Sequence, residues 1–170
     1  MWSLFRVHAE SGGGFEESDY SANLLATTTA IPPEDCTFTQ GYWKNHPGAW
    51  PVPNLTLGTV TYTQAQLLSI LNTPAQGNGL LIVAHQLIAA KLNFALGADP
   101  TAAAAAVAAA DAMIGSLVIP PVGAGTLSPA SVNATTNTLD DYNNGSLGVP
   151  HCSSMAVAPG TWGTVKAAYR

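Results

Sequence analysis

Charge is what this sequence has least of. Asp, Glu, Lys and Arg make up 9% of it, against about 25% in ordinary soluble domains. Five Lys and Arg stand against ten Asp and Glu, a net charge of -5. Without clustered cations to meet phosphates, nucleic acid is excluded as a partner, and so is a polybasic membrane anchor. The acids that exist come early: Glu10, Glu16, Glu17, Asp19, Glu34 and Asp35. From residue 45 to residue 90 there is no charged side chain at all. The surface there must be built from Thr, Ser, Asn, Gln and Gly. Two readings fit such a surface: a soluble protein coated in neutral polar groups, or one that packs against copies of itself or a matrix.

Cysteine is nearly as scarce. Cys36 and Cys152 lie 116 positions apart, each in a polar segment with proline close by. In an oxidising compartment they would pair; in a reducing one they would be two buried thiols. There is no CxxC, HExxH or GxSxG, and no glycine-rich phosphate loop after a strand. Beyond residue 35 the only carboxylates are Asp99, Asp111, Asp140 and Asp141, too few and too scattered for obvious acid–base work. No catalytic residue and no cofactor is assigned, and a hydrolytic enzyme ranks third among the functional readings. No stretch is expected to cross a membrane, because His85, Gln86, Lys91 and Asn93 interrupt the most apolar one, 79–97. Residues 1–7 are too short for the apolar core of an export leader, so an exported chain would carry its leader elsewhere or have lost it.

What is present suits one domain with an arm. The chain has 170 residues, 47% of them hydrophobic, enough for a sizeable core. Residues 1–35 read as an extended N-terminal arm, broken at the glycines 12–14 and carrying one apolar stretch, 20–31, that ends at Pro32-Pro33. Tyr20, Leu24, Leu25 and Ile31 are the candidate assembly residues there. They would wrap their own domain or insert into a neighbour by strand addition.

Residues 36–53, rich in Trp and Pro, read as a loop or a single helical turn with anchored aromatics. Polar and apolar residues alternate over 54–62, which predicts a short extended segment. Thr63 and Gln66 match a capping box, and Leu67, Leu68, Ile70 and Leu71 follow in a short helix. Asn78 caps residues 79–96, apolar on nearly every face and so expected to be central and buried. Gly97 ends that helix. Asp99-Pro100 then opens a second, alanine-rich helix over 101–114, stopped by Gly115. The pair predicts an antiparallel helical hairpin, with Asp111 set to meet Lys91 across it. Residues 117–129 form a Pro/Gly crossover loop, and 130–141 another short helix. In the tail, Trp162, Val165 and Tyr169 have the spacing of a docking helix.

The candidate ligand-binding residues are Tyr42, Trp43, Lys44, Asn45, His46, Trp50 and His151. The aromatics could stack on a glycan, or could simply anchor a small core. His46 and His151 both lie near a cysteine, and His85 on the central helix could join them as a metal ligand or be a hydrogen-bonded core residue. No metal is assigned. The run Asp140, Asp141, Tyr142, Asn143, Asn144, Gly145 has the oxygens of a calcium loop but not its terminal Glu, so a helix end before a turn is the better reading. Asn54, Asn133 and Asn144 each begin a glycosylation sequon.

The string CTFTQGYWKNHPGAWP at residues 36–51, with AHQLIAAKLN, LDDYNNG and a late His-Cys, resembles a family of exported bacterial domains bearing a CT-x-TQGYWK-x-H signature. The resemblance implies extracytoplasmic life and pairing of Cys36 with Cys152, and it supplies no catalytic residues. The ending TWGTVKAAYR is similar to short C-terminal tails of some exported bacterial proteins. The expected fold is mainly α: a compact helical domain over 36–170, closed by one long-range disulfide and organised around the hairpin, with long Pro/Gly loops. The expected function is a secreted or cell-surface structural module, a fibre or coat subunit partnered by copies of itself. An extracellular domain binding a glycan or a metal through the 42–46 loop is the alternative.

Overall fold

The computed structural model describes residues 35–152. The expected arm with the candidate assembly residues Tyr20, Leu24, Leu25 and Ile31, and the expected docking helix of the tail with Trp162, Val165 and Tyr169, fall outside the described residues. About 53% of the described chain is helical, with one small two-stranded sheet, so the domain is mainly α. The elements run α1 (Gln40–Asn45), a 3-10 turn (Pro47–Ala49), β1 (Asn54–Leu57), β2 (Val60–Thr63), α2 (Gln64–Asn72), α3 (Gly79–Leu96), α4 (Ala104–Ile114) and α5 (Pro129–Asn143).

Local signals place most of these elements. Thr39 caps α1 by accepting from the Tyr42 N–H. Residues 54–63 are extended as expected, but they fold back into a hairpin, pairing Leu57 with Val60 across Gly58 and Thr59. Gly58 has φ of 61° and its backbone lies so close to the Gly115 carbonyl that a Cβ would fall 2.1 Å from it. Only glycine meets both demands. Thr63 and Gln66 form the reciprocal capping box at α2. Asn78 caps α3 through Leu80 N, 2.9 Å, and its amide also holds Gly125 O at 3.0 Å.

α3 is the axis of the domain. Leu80, Val83, Leu87, Ile88 and Leu92 on it are fully buried, each contributing about 1.5–3 kcal/mol by leaving water. By length and composition this helix could cross a membrane, contrary to the expectation that its polar residues forbid it, yet 67% of it is buried within the domain. The helix spends its apolar surface on the domain core.

The hairpin expectation needs correcting in emphasis. The chain does turn back after Gly97, and Lys91 Nζ meets Asp111 Oδ2 at 2.6 Å. The broadest partner of α3, however, is α5 rather than α4. The two helices run in the same direction. Gly79 N bonds Leu127 O at one end, and Asn143 bonds Gln86 and Asn93 further along. A Cβ on Gly79 would fall 2.6 Å from Ser128 O, so glycine permits this close start. The first regular turn of α4 also comes later than read: Asp99 Oδ1 accepts from Thr101 N at 2.9 Å, but residues 101–103 form a turn before the helix.

The ends of the described chain are joined twice. Cys36 and Cys152 form a disulfide with Cα atoms 5.0 Å apart. Beside it, Thr37 and His151 make a parallel bridge in which Thr37 N donates to Pro150 O and Cys152 N to Thr37 O, both 2.9 Å.

Candidate functional site

The residues singled out around α1 divide between its two sides. On one side three rings stack in a column. Phe38 lies 3.8 Å from Tyr42, and Tyr42 4.3 Å from His46, with ring planes 12° and 19° apart. The spacing of four residues between each pair puts all three on one side of a helical turn. His151 packs edge-on against Phe38 at 6.5 Å. His46 and His151 therefore sit at opposite ends of the column and do not converge. Trp43 is fully buried, so its ring anchors α1 and offers no face to a ligand. Trp50 is half-buried and donates its indole N–H to Trp43 O at 2.8 Å. Asn45 turns back to Gly41 O at 2.8 Å.

Of the two readings open for His85, metal ligand with His46 and His151 or hydrogen-bonded core residue, the structure has the second. Among the described residues no three His, Cys, Asp or Glu side chains are grouped to hold an ion. His85 instead donates from Nε2 to the Ile70 carbonyl at 2.8 Å, since a carbonyl can only accept. That fixes the tautomer and leaves Nδ1 as a lone-pair acceptor. Burial pushes the His85 pKa down; the bond to Ile70 opposes this, and the Lys44 charge adds to the lowering. The Asp140–Gly145 run serves the end of α5, as the failed calcium pattern implied: Asn144 N and Nδ2 both donate to Asp140 O at 2.9 Å.

The other side of α1 faces a groove of about 520 Å³, closed by α2, α3 and the end of α5. Thr39, Gln40 and Lys44 line it from α1, Asn72 from the end of α2, His85 and Gln86 from α3, and Asp140 and Asn144 from α5 and its cap. Its floor is a chain of amides. Asn93 Oδ1 accepts from Phe38 N at 2.9 Å and from Trp43 Nε1 at 3.1 Å. Asn93 Nδ2 donates to Phe38 O at 2.9 Å and to Asn143 Oδ1 at 3.0 Å. Asn143 Nδ2 donates to Gln86 O and Oε1, and Gln86 Nε2 to Asp140 Oδ1 at 2.7 Å. Every hydrogen-bonding site of the Asn93 amide is used, which is what makes so buried a polar group tolerable.

Of the ligand-binding residues read from the sequence, only Lys44 lines this groove. Asn72, Gln86, Asp140 and Asn144 carried no signal that would have gathered them. They come from three separate elements, are mostly uncharged, and follow no spacing rule. His85 had been noticed for its chemistry but assigned to other company.

Comparison with protein-family models, with curated proteins and with solved structures found no match to this chain.

Proposed function

We propose that the chain is a secreted or cell-surface structural module that self-associates, with the disulfide-closed domain as its head. The observation that carries this reading is the joint closure at Cys36–Cys152 and Thr37–His151. It brings the start and the end of the head to one place, so residues 1–34 and 153–170 join it side by side. A disulfide closing a loop this long stabilises by about 5 kcal/mol in the chain-entropy picture, and it suits an oxidising compartment. Scarcity of charge on the head gives weak mutual repulsion, which favours packing against copies of itself. The N-terminal segment, with Tyr20, Leu24, Leu25 and Ile31, is proposed to join subunits.

The test is size-exclusion chromatography with light scattering on the full chain, purified without reductant. Assemblies that vanish when Leu24 and Leu25 are both replaced by Asp support the reading. A monomer of 17.4 kDa at every concentration overturns it.

A further inference from the structure

We propose that the groove between α1, α2, α3 and α5 binds a neutral saccharide of about disaccharide size. The inference goes beyond the structural reading and does not depend on self-association. Its ground is the balance of unused hydrogen-bonding atoms. Gln86 and Asn143 are tied into the amide chain, and the Thr73 hydroxyl donates to Ser69 O. Asn72 and Asn144 each spend one Nδ2 hydrogen on a backbone carbonyl and keep the other. Among the described residues, the acceptors left without a partner include Oδ1 of Asn72 and of Asn144, Oδ2 of Asp140 and Nδ1 of His85. Beside them stand donors: the Lys44 ammonium, the Gln40 amide, the Thr39 hydroxyl and the second Nδ2 hydrogens of Asn72 and Asn144.

A ligand for this wall must bring several hydrogen-bond donors and at least two acceptors. Hydroxyl groups are both. Phosphate or sulfate would be repelled by the Asp140 carboxylate and would bring too few donors of its own for the open acceptors. A simple ammonium would meet Lys44. An apolar ligand would leave the open acceptors without water or partner, which costs about 1–3 kcal/mol each. One carboxylate and one ammonium leave the wall without net charge, matching an uncharged guest. Leu71 and Pro74 at the edge offer aliphatic surface to the C–H face of a sugar ring. The volume of about 520 Å³ falls within the usual range for small-ligand sites. The amide chain beneath holds Asp140 and Gln86 in place before any ligand arrives, which lowers the ordering cost of binding. The depressed basicity of His85 keeps Nδ1 an acceptor at neutral pH.

The experiment is an amide chemical-shift titration of the full, disulfide-intact chain with maltose, cellobiose and N,N′-diacetylchitobiose, using inorganic phosphate and glycine as charged comparisons. The expected result is saturable shifts from at least one disaccharide at Gln40, Asn72, His85 and Asn144. N72A and N144A should each weaken that binding about 3- to 10-fold, the loss of one neutral hydrogen bond. Both residues are exposed, so these variants should keep the fold, which the same spectra check. The proposal is overturned by no disaccharide shifts up to about 20 mM, by stronger groove shifts from phosphate or glycine, by saccharide shifts confined to Tyr42 and His46, or by binding that both variants leave intact.

Discussion

Replacing Asn93 by alanine strands four polar groups at once. Two of them, the Trp43 indole N–H and Asn143 Oδ1, belong to side chains that are 0% and 1% exposed. Water cannot reach either group without a rearrangement of the core. The other two, N–H and C=O of half-buried Phe38, can be partly rehydrated. An unsatisfied buried group costs about 1–3 kcal/mol, so two fully stranded groups predict a loss of about 2–6 kcal/mol. That is a large share of the roughly 5–15 kcal/mol that holds a domain together. The assay is urea unfolding of the oxidised protein followed by circular dichroism. With a slope of about 1–3 kcal/mol per molar, the midpoint should fall by about 2 M. Asn93→Leu is the informative companion. It refills the volume but leaves the same groups unpaired, so it should be no more stable than N93A. A loss below about 1 kcal/mol for N93A, or recovery of stability in N93L, would refute the reasoning, since the amide would then be filling space rather than pairing buried groups.

Three further outcomes follow from the same structure. Thr136 Oγ1 is a buried hydroxyl with no hydrogen-bond partner among the described residues, so Thr136→Val should leave the urea midpoint unchanged or raise stability by up to about 1 kcal/mol. Asp111→Asn keeps an acceptor for Gly58 N but removes the charge facing Lys91, both side chains being mostly buried; a loss of about 1–2 kcal/mol is expected by the same assay. His85 titrates below its ordinary value of 6.5 in the folded chain, so below that pH the unfolded chain takes up a proton that the folded one refuses. Stability should therefore be full above pH 6.5, fall as pH drops through the folded pKa, and then level; in His85→Asn the denaturation midpoints should lose this component of the fall.

Signals that act within a few residues could be read from the sequence. Thr63 with Gln66, Asn78 and Gly97 declare the ends of their helices because capping is a local contact. The Lys91–Asp111 pair was legible because both helices are short-linked and charge is so rare that few other pairings were open. What could not be read is the seam between α3 and α5. Val132, Thr136, Leu139 and Tyr142 are buried at helical spacing, but two of the four carry hydroxyls, and the rest of the helix is so polar that it reads as surface. Gln86 and Asn93 looked like interruptions of an apolar run. Their partners lie 50 or more residues away, and nothing local marks an amide as paired. The groove was hidden for the same reason. On α1, by contrast, the attention drawn by the aromatic residues fell on the opposite side of the helix.

The closure at Cys36 and Cys152 also decides how the molecule would carry load. A pull applied between residues 1–34 and 153–170 passes straight across the sulfur–sulfur bond and never enters the helices. The head would hang from the line of tension like a bead tied at its neck, neither stretched nor sheared. Reduction would change the mechanics altogether. If the core then gave way, the 116-residue separation could pay out, adding about 400 Å of slack at roughly 3.3–3.6 Å per residue. Whether a strand made of such units yields under force would thus be set first by the redox state of its surroundings, and by the strength of its core only once the bridge is reduced.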